Sequence, residues 1–264
     1  MTIKYYANQG GRRHTMLIDI DNNLIFGVPP YMFFAGVGFI VAFGVLVWLS
    51  IKSELYIRMS ICVCSVVGIY IGARCFGVLT NICNSLYSGT PLSLQIFKEA
   101  GLVFYGGLLG YISFSIAGMK LILKEIDWDL LNIMAIPIPI FHCIARVGCL
   151  IAGCCYGRNY DGILAVTYKN ADDLVNRFPV QIMEAMIEFF IFGGIMYLFR
   201  KGKTKRYLLT YLFLYAWARI FTELFRGDSI RGLFNFISFS QIISVIIIII
   251  ASACFIKNKQ RKKV

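Results

Sequence analysis

Hydrophobic residues in this chain run in long blocks, and the polar residues collect between them. A membrane-crossing helix needs about 20 apolar residues. Seven blocks are candidates, at about 31–51, 56–79, 101–123, 130–156, 180–199, 207–225 and 236–256. The fourth contains Pro137 and Pro139. Proline removes a backbone donor and crowds the preceding turn, so this span is expected to be kinked or broken. The pattern predicts an all-α membrane protein of about seven spans. It divides into an arm over 1–28, a transmembrane domain over 29–256 and a basic tail over 257–264. The arm has no apolar core of the length a cleavable signal needs, so the first span is expected to remain in the mature chain.

Composition sharpens this picture. The chain is 58% hydrophobic and 15% charged, where soluble domains carry about 25% charged residues. No appended soluble domain is expected. The net charge of +12 does not point to nucleic acid, because the Lys and Arg sit in short loops and at the tail. That distribution fits topology signals and anionic headgroups. The segments "RKGKTKR" (200–206) and "KNKQRKKV" (257–264) carry five basic residues each. Basic loops stay cytoplasmic, so the N-terminus is expected outside and the C-terminus inside.

Three arginines fall deep within spans, away from their inner ends: Arg74, Arg146 and Arg219. At 1.5 Å per residue they lie about 27, 24 and 18 Å along their helices from the inner side. All three are therefore expected in one cavity in the outer half. A charge at that depth costs roughly 2.5–3.5 kcal/mol and marks a site. Glu223 and Arg226 follow Arg219 on one helical face. Glu223 is the one carboxylate counted among the spans on that side, which leaves a surplus of positive charge. Surplus guanidinium suits a phosphate, which arginine holds through two parallel hydrogen bonds. At the outer leaflet the simplest phosphate is a phospholipid headgroup.

Gly106, Gly107 and Gly110 recur along the third span, and Gly148, Gly153 and Gly157 along the fourth. Such glycines let helices approach closely, or let a headgroup reach backbone. Arg146, Cys149, Gly153 and Gly157 share one face of the fourth helix, since 3, 7 and 11 residues all return near the start of a 3.6-residue cycle. Cys154 would lie close to that face, and Cys155 would point away. The nine cysteines all lie in or beside apolar blocks, and most read as packing residues. A metal site at Cys149, Cys154 and Cys155 with His142 is disfavoured, because neighbouring cysteines on a helix diverge and the spacing is not a usual zinc spacing. No metal and no cofactor are expected.

Six segments in order resemble the prolipoprotein diacylglyceryl transferase family. They are "IGARCFG", "VFYGGLLG", "ARVGCLIAGCCYGR", "RFPVQIMEA", "YAWARIFTELFRGD" and "SFSQIIS". The resemblance implies a multi-pass enzyme of the bacterial cytoplasmic (inner) membrane. It would move a diacylglyceryl group from phosphatidylglycerol to a lipobox cysteine thiol and release glycerol phosphate. By the same resemblance Arg146, Arg219, Glu223 and Tyr105 are the catalytic candidates. Arg74, Gly106, Gly107, Cys149, Gly153, Cys154, Gly157, Gln181 and Arg226 are the substrate-binding ones. Glu184 matches the glutamate that follows Gln181 in the family. The chain departs from the family pattern at three of these positions. Cys149 and Cys154 stand where the family has asparagine and glutamate, and Tyr105 stands in place of a histidine. The family's helix-1 tyrosine falls at Phe34 or a neighbour. Two other readings share the fold: a relative that moves a lipid-derived group to another acceptor, a different thiol among them, and a non-catalytic lipid-binding membrane protein.

Overall fold

The computed structural model describes residues 3–7, 14–19, 24–53, 59–89, 91, 93–98, 100–169, 175–202, 204–227, 232–234 and 237–261. Much of the 1–28 arm lies outside the described residues, as do Arg58, Lys203 and residues 262–264 of the tail. The helices are α1 (Pro30–Lys52), α2 (Met59–Ser88), α3 (Gln95–Lys98), α4 (Phe104–Ile122), α5 (Trp128–Ala135), α6 (Ile138–Ile151), α7 (Val180–Lys201), α8 (Tyr207–Glu223) and α9 (Phe239–Arg261).

Six described stretches are long and apolar enough to cross a membrane: Pro30–Lys52, Met59–Tyr87, Phe104–Ile122, Trp128–Ile151, Val180–Lys201 and Phe239–Lys257. The chain is a multi-pass helical membrane protein. The expected span that is missing from these six is the sixth, 207–225, where α8 has only 17 residues. At 1.5 Å per residue it reaches about 26 Å, short of the roughly 30 Å hydrocarbon core.

The fourth span breaks where its prolines predict. α5 stops at Ala135, and α6 restarts at Ile138 with Pro137 as its N-cap. Pro139 then sits in the first turn, where its missing N–H has no intrahelical partner to lose. At the other end α6 stops at Ile151, not near 156 as expected. Gly153 is the reason. Its φ is +68°, the left-handed conformation in which glycine ends helices. The Cys154 N–H reaches the Cys149 carbonyl, and the Gly153 N–H reaches Leu150. That pair of bonds is the Schellman cap. Gly153 thus serves the turn, and the helical face drawn through Gly153 and Gly157 does not exist.

A small sheet joins the helices, which the pattern of apolar blocks does not predict. β1 (Ile3–Ala7) pairs antiparallel with β2 (His14–Asp19), and β2 pairs parallel with β3 (Val166–Lys169). Ile18, Val166 and Tyr168 form a buried cluster against Leu150 and Tyr156. A second, two-stranded sheet pairs β4 (Gly232–Phe234) with β5 (Ile237–Ser238).

The chain forms two compact units. One comprises Met1–Leu46, Ile136–Lys203 and Trp217–Ser229; the other comprises Val47–Ala135, Thr204–Ala216 and Ile230–Val264. In the second unit α2 and α4 meet through glycines. A Cβ on Gly68, Gly72, Gly106 or Gly110 would strike the backbone of a glycine on the facing helix. The Gly106 and Gly110 spacing is therefore taken up by helix packing. Gly107 has ordinary room beside Ile69.

Candidate functional site

In the first unit α6 and α7 pack together. His142 and Arg146 are one turn apart on α6, and Glu184 and Glu188 are one turn apart on α7. All four are buried. Buried charge must be paired to be tolerated, and this arrangement pairs it. The Arg146 Nε–H donates to His142 Nε2 at 3.1 Å, and the same nitrogen lies 2.9 Å from Glu184 Oε2. An accepting Nε2 places the imidazole proton on Nδ1. That Nδ1–H donates to Glu188 Oε1 at 3.0 Å.

Glu184 is the hub of the cluster. Its Oε1 accepts from Arg219 at 3.0 Å and from Arg226 at 3.1 Å. Arg219 also lies 2.6 Å from Glu223 Oε2. Arg146 and Arg219 thus meet on one carboxylate. The expected surplus of positive charge is corrected here. Among the described residues of this cluster, three guanidiniums face Glu184, Glu188 and Glu223. Helix depth alone did not reveal which face of α7 the two glutamates occupy.

Arg226 reaches Glu184 because the chain around it is pinned. Gly157 and Arg226 form an antiparallel bridge, and Arg158 N–H donates to the Phe225 carbonyl at 2.9 Å. A Cβ on Gly157 would collide with Phe178. Gly157 is therefore where the loop after α6 crosses the segment after α8. Gln181 holds the same loop: its amide donates to the Cys154 carbonyl at 2.8 Å and lies 3.0 Å from the Tyr168 hydroxyl. Burial pushes that hydroxyl above its usual range.

A cavity of about 270 Å³ lies between α6 and α7. Its walls are mostly apolar and include Val147, Leu150, Ile182, Met186, Phe189 and Phe190. Arg146 and Gln181 also line it. Met186, Phe189 and Phe190 are exposed, so the cavity opens through apolar side chains. The thiol that lines it is Cys143, where Cys149 had been expected. Cys149 is buried beside Arg146, with its sulfur 4.0 Å from a terminal guanidinium nitrogen.

The cysteines also differ from expectation. The Sγ atoms of Cys149, Cys154 and Cys155 all lie within 4.8 Å of one another. Cys155 therefore does not point away. The cap brings Cys154 back over Cys149, and Cys155 takes a left-handed φ of 58° that turns it inward. Contacts with the Cys149 and Cys154 thiols hold Cys155 below the ordinary thiol range, while Cys149 and Cys155 push Cys154 above it. Tyr31 of α1 interacts electrostatically with these three cysteines and with Arg146, and Phe34 packs at Gly148. Tyr31 lies one turn before Phe34 on α1, and its backbone also meets Gly148.

Two candidates stand in the second unit. Arg74 donates to the carbonyls of Ala100 and Phe97, the latter at 2.8 Å. Tyr105 is buried, shares a hydrogen bond with Ser244 and sets its ring edge against Tyr215.

Membrane-crossing helices, a mostly apolar cavity and a buried arginine–carboxylate cluster beside it define a multi-pass membrane protein with a charged site inside its helices. The family model for prolipoprotein diacylglyceryl transferase matches residues 22–257, and the chain belongs to that family. It is 28% identical over 256 residues to the phosphatidylglycerol–prolipoprotein diacylglyceryl transferase of Clostridium tetani, covering 90% of this chain and 97% of that protein. The protein of the same name from Francisella tularensis subsp. holarctica is 28% identical over 225 residues, covering 81% of this chain and 82% of that one. A second transferase of Clostridium perfringens is 30% identical over 164 residues, covering 58% of this chain and 62% of that protein.

Proposed function

We propose that this chain transfers the diacylglyceryl group of phosphatidylglycerol to the thiol of a lipobox cysteine, in the cytoplasmic membrane of a bacterium. The observation that carries the reading is the buried cluster in which Arg146, Arg219 and Arg226 meet on Glu184, set beside a mostly apolar cavity that Arg146 and Gln181 help to line. Acyl chains suit the apolar walls, and a phosphodiester suits the guanidinium. The acceptor sulfur attacks the glycerol carbon as thiolate. The C–S bond forms as the C–O bond to phosphorus breaks, and glycerol phosphate leaves with the electron pair. Arg146 stabilises the charge that gathers on the departing phosphate. His142 and Glu188 orient its guanidinium through Nε. Arg219, Arg226 and Glu223 fix Glu184, which sets the position of Arg146. Tyr105 and Arg74, bonded within the second unit, are assigned no chemical step.

The reading includes an orientation with the N-terminus outside and the basic tail in the cytoplasm. A reporter active only outside, fused to the C-terminus, gives no signal; a strong signal reverses the orientation.

Rescue of a depleted host tests the activity. Expressing this chain where the host's own transferase is shut off restores lipidated lipoprotein. Failure at normal membrane expression removes the usual acceptor from the proposal.

A further inference from the structure

We infer that Cys149, Cys154 and Cys155 form a three-thiolate binding site for a zinc ion, with the fourth coordination position open. The argument starts from the backbone. A Schellman cap folds the residue two past the helix end over the residue three positions before the cap, and here those residues are Cys154 and Cys149. The left-handed Cys155 then adds a third sulfur from the next position. The three sulfurs lie within 4.8 Å of one another. Tetrahedral zinc with Zn–S bonds of 2.3 Å requires sulfurs about 3.8 Å apart. The difference to be closed is about 1 Å at most.

The surroundings suit the ion. Cys149 is buried and anchors the site, while Cys154 is exposed and offers an entry path. Three thiolates and a divalent ion leave one negative charge, and the Arg146 guanidinium lies 4.0 Å from the Cys149 sulfur. A neighbouring cation favours thiolate, the ligand form. No His, Asp or Glu among the described residues joins the three cysteines, so a water or an exogenous thiolate takes the fourth position. Resting on the transferase reading, that position takes the acceptor thiol. Coordination releases its proton to solvent, and the bound sulfur then displaces glycerol phosphate as described above. The zinc would thus activate the acceptor thiol.

The test uses the full chain in detergent micelles with a reductant present. After loading with Zn²⁺ and desalting, the protein retains one zinc per chain. C149S, C154S and C155S each lose it, and C254S keeps it. A measurement on the unaltered chain guards against misfolded variants: Zn²⁺ protects these three cysteines from alkylation, read by mass spectrometry, and Co²⁺ gives a thiolate charge-transfer band. No retained zinc, or unchanged alkylation of the three thiols, overturns the site. Chelation that strips the zinc while transfer continues overturns its role. Retained zinc with no transfer under any metal condition supports the site and contradicts the transferase reading instead.

Discussion

Glu184→Gln destabilises the protein by about 3–5 kcal/mol, the range seen when one partner of a buried charge cluster is removed. Glutamine keeps the shape of the side chain but removes its charge and turns one acceptor oxygen into an NH2 donor. Arg146, Arg219 and Arg226 then lose the carboxylate they share at 2.9–3.1 Å. Each is left desolvated with weaker compensation, and the loss falls on all three at once. Glu223→Gln costs less, because Glu223 faces only Arg219 in the described contacts. Unfolding of the two variants in mixed micelles with added denaturing detergent gives the comparison. Equal and small effects would mean that the three guanidiniums do not depend on a common hub.

Arg146→Lys lowers the rate of diacylglyceryl transfer by about 10²–10³-fold, the usual cost of removing one donor aimed at developing charge. Lysine keeps the charge but presents no planar pair of donors. It also lacks Nε, so the bond that ties Arg146 to His142 is lost. The folded fraction, followed by melting in detergent, changes less than in Glu184→Gln, because Glu184 keeps Arg219 and Arg226. Full activity in Arg146→Lys would leave the phosphate contact without support.

Much of this architecture is legible from residue pattern. Blocks of apolar residues mark the spans, and Pro137 marks the break in the fourth. Arg146, Arg219 and Glu223 can be brought together by counting residues along helices. The counter-ions resisted that count, because depth along α7 says nothing about which side of it Glu184 and Glu188 face. Their spacing was the available signal: two glutamates one turn apart inside an apolar helix, matched by His142 and Arg146 one turn apart on another. The cysteine turn was missed for a different reason. Helical phase was carried past Ala152, although a glycine just beyond the last periodic residue is a stop signal. The small sheet was missed because its strands are short and β3 lies far along the chain from β1 and β2.

The most direct measurement uses the purified chain in vesicles of phosphatidylglycerol with a synthetic peptide bearing a lipobox cysteine. The account predicts a peptide heavier by one diacylglyceryl group on its cysteine, with glycerol phosphate released in equal amount. An unmodified peptide, from protein that melts cooperatively and binds phosphatidylglycerol, would contradict it.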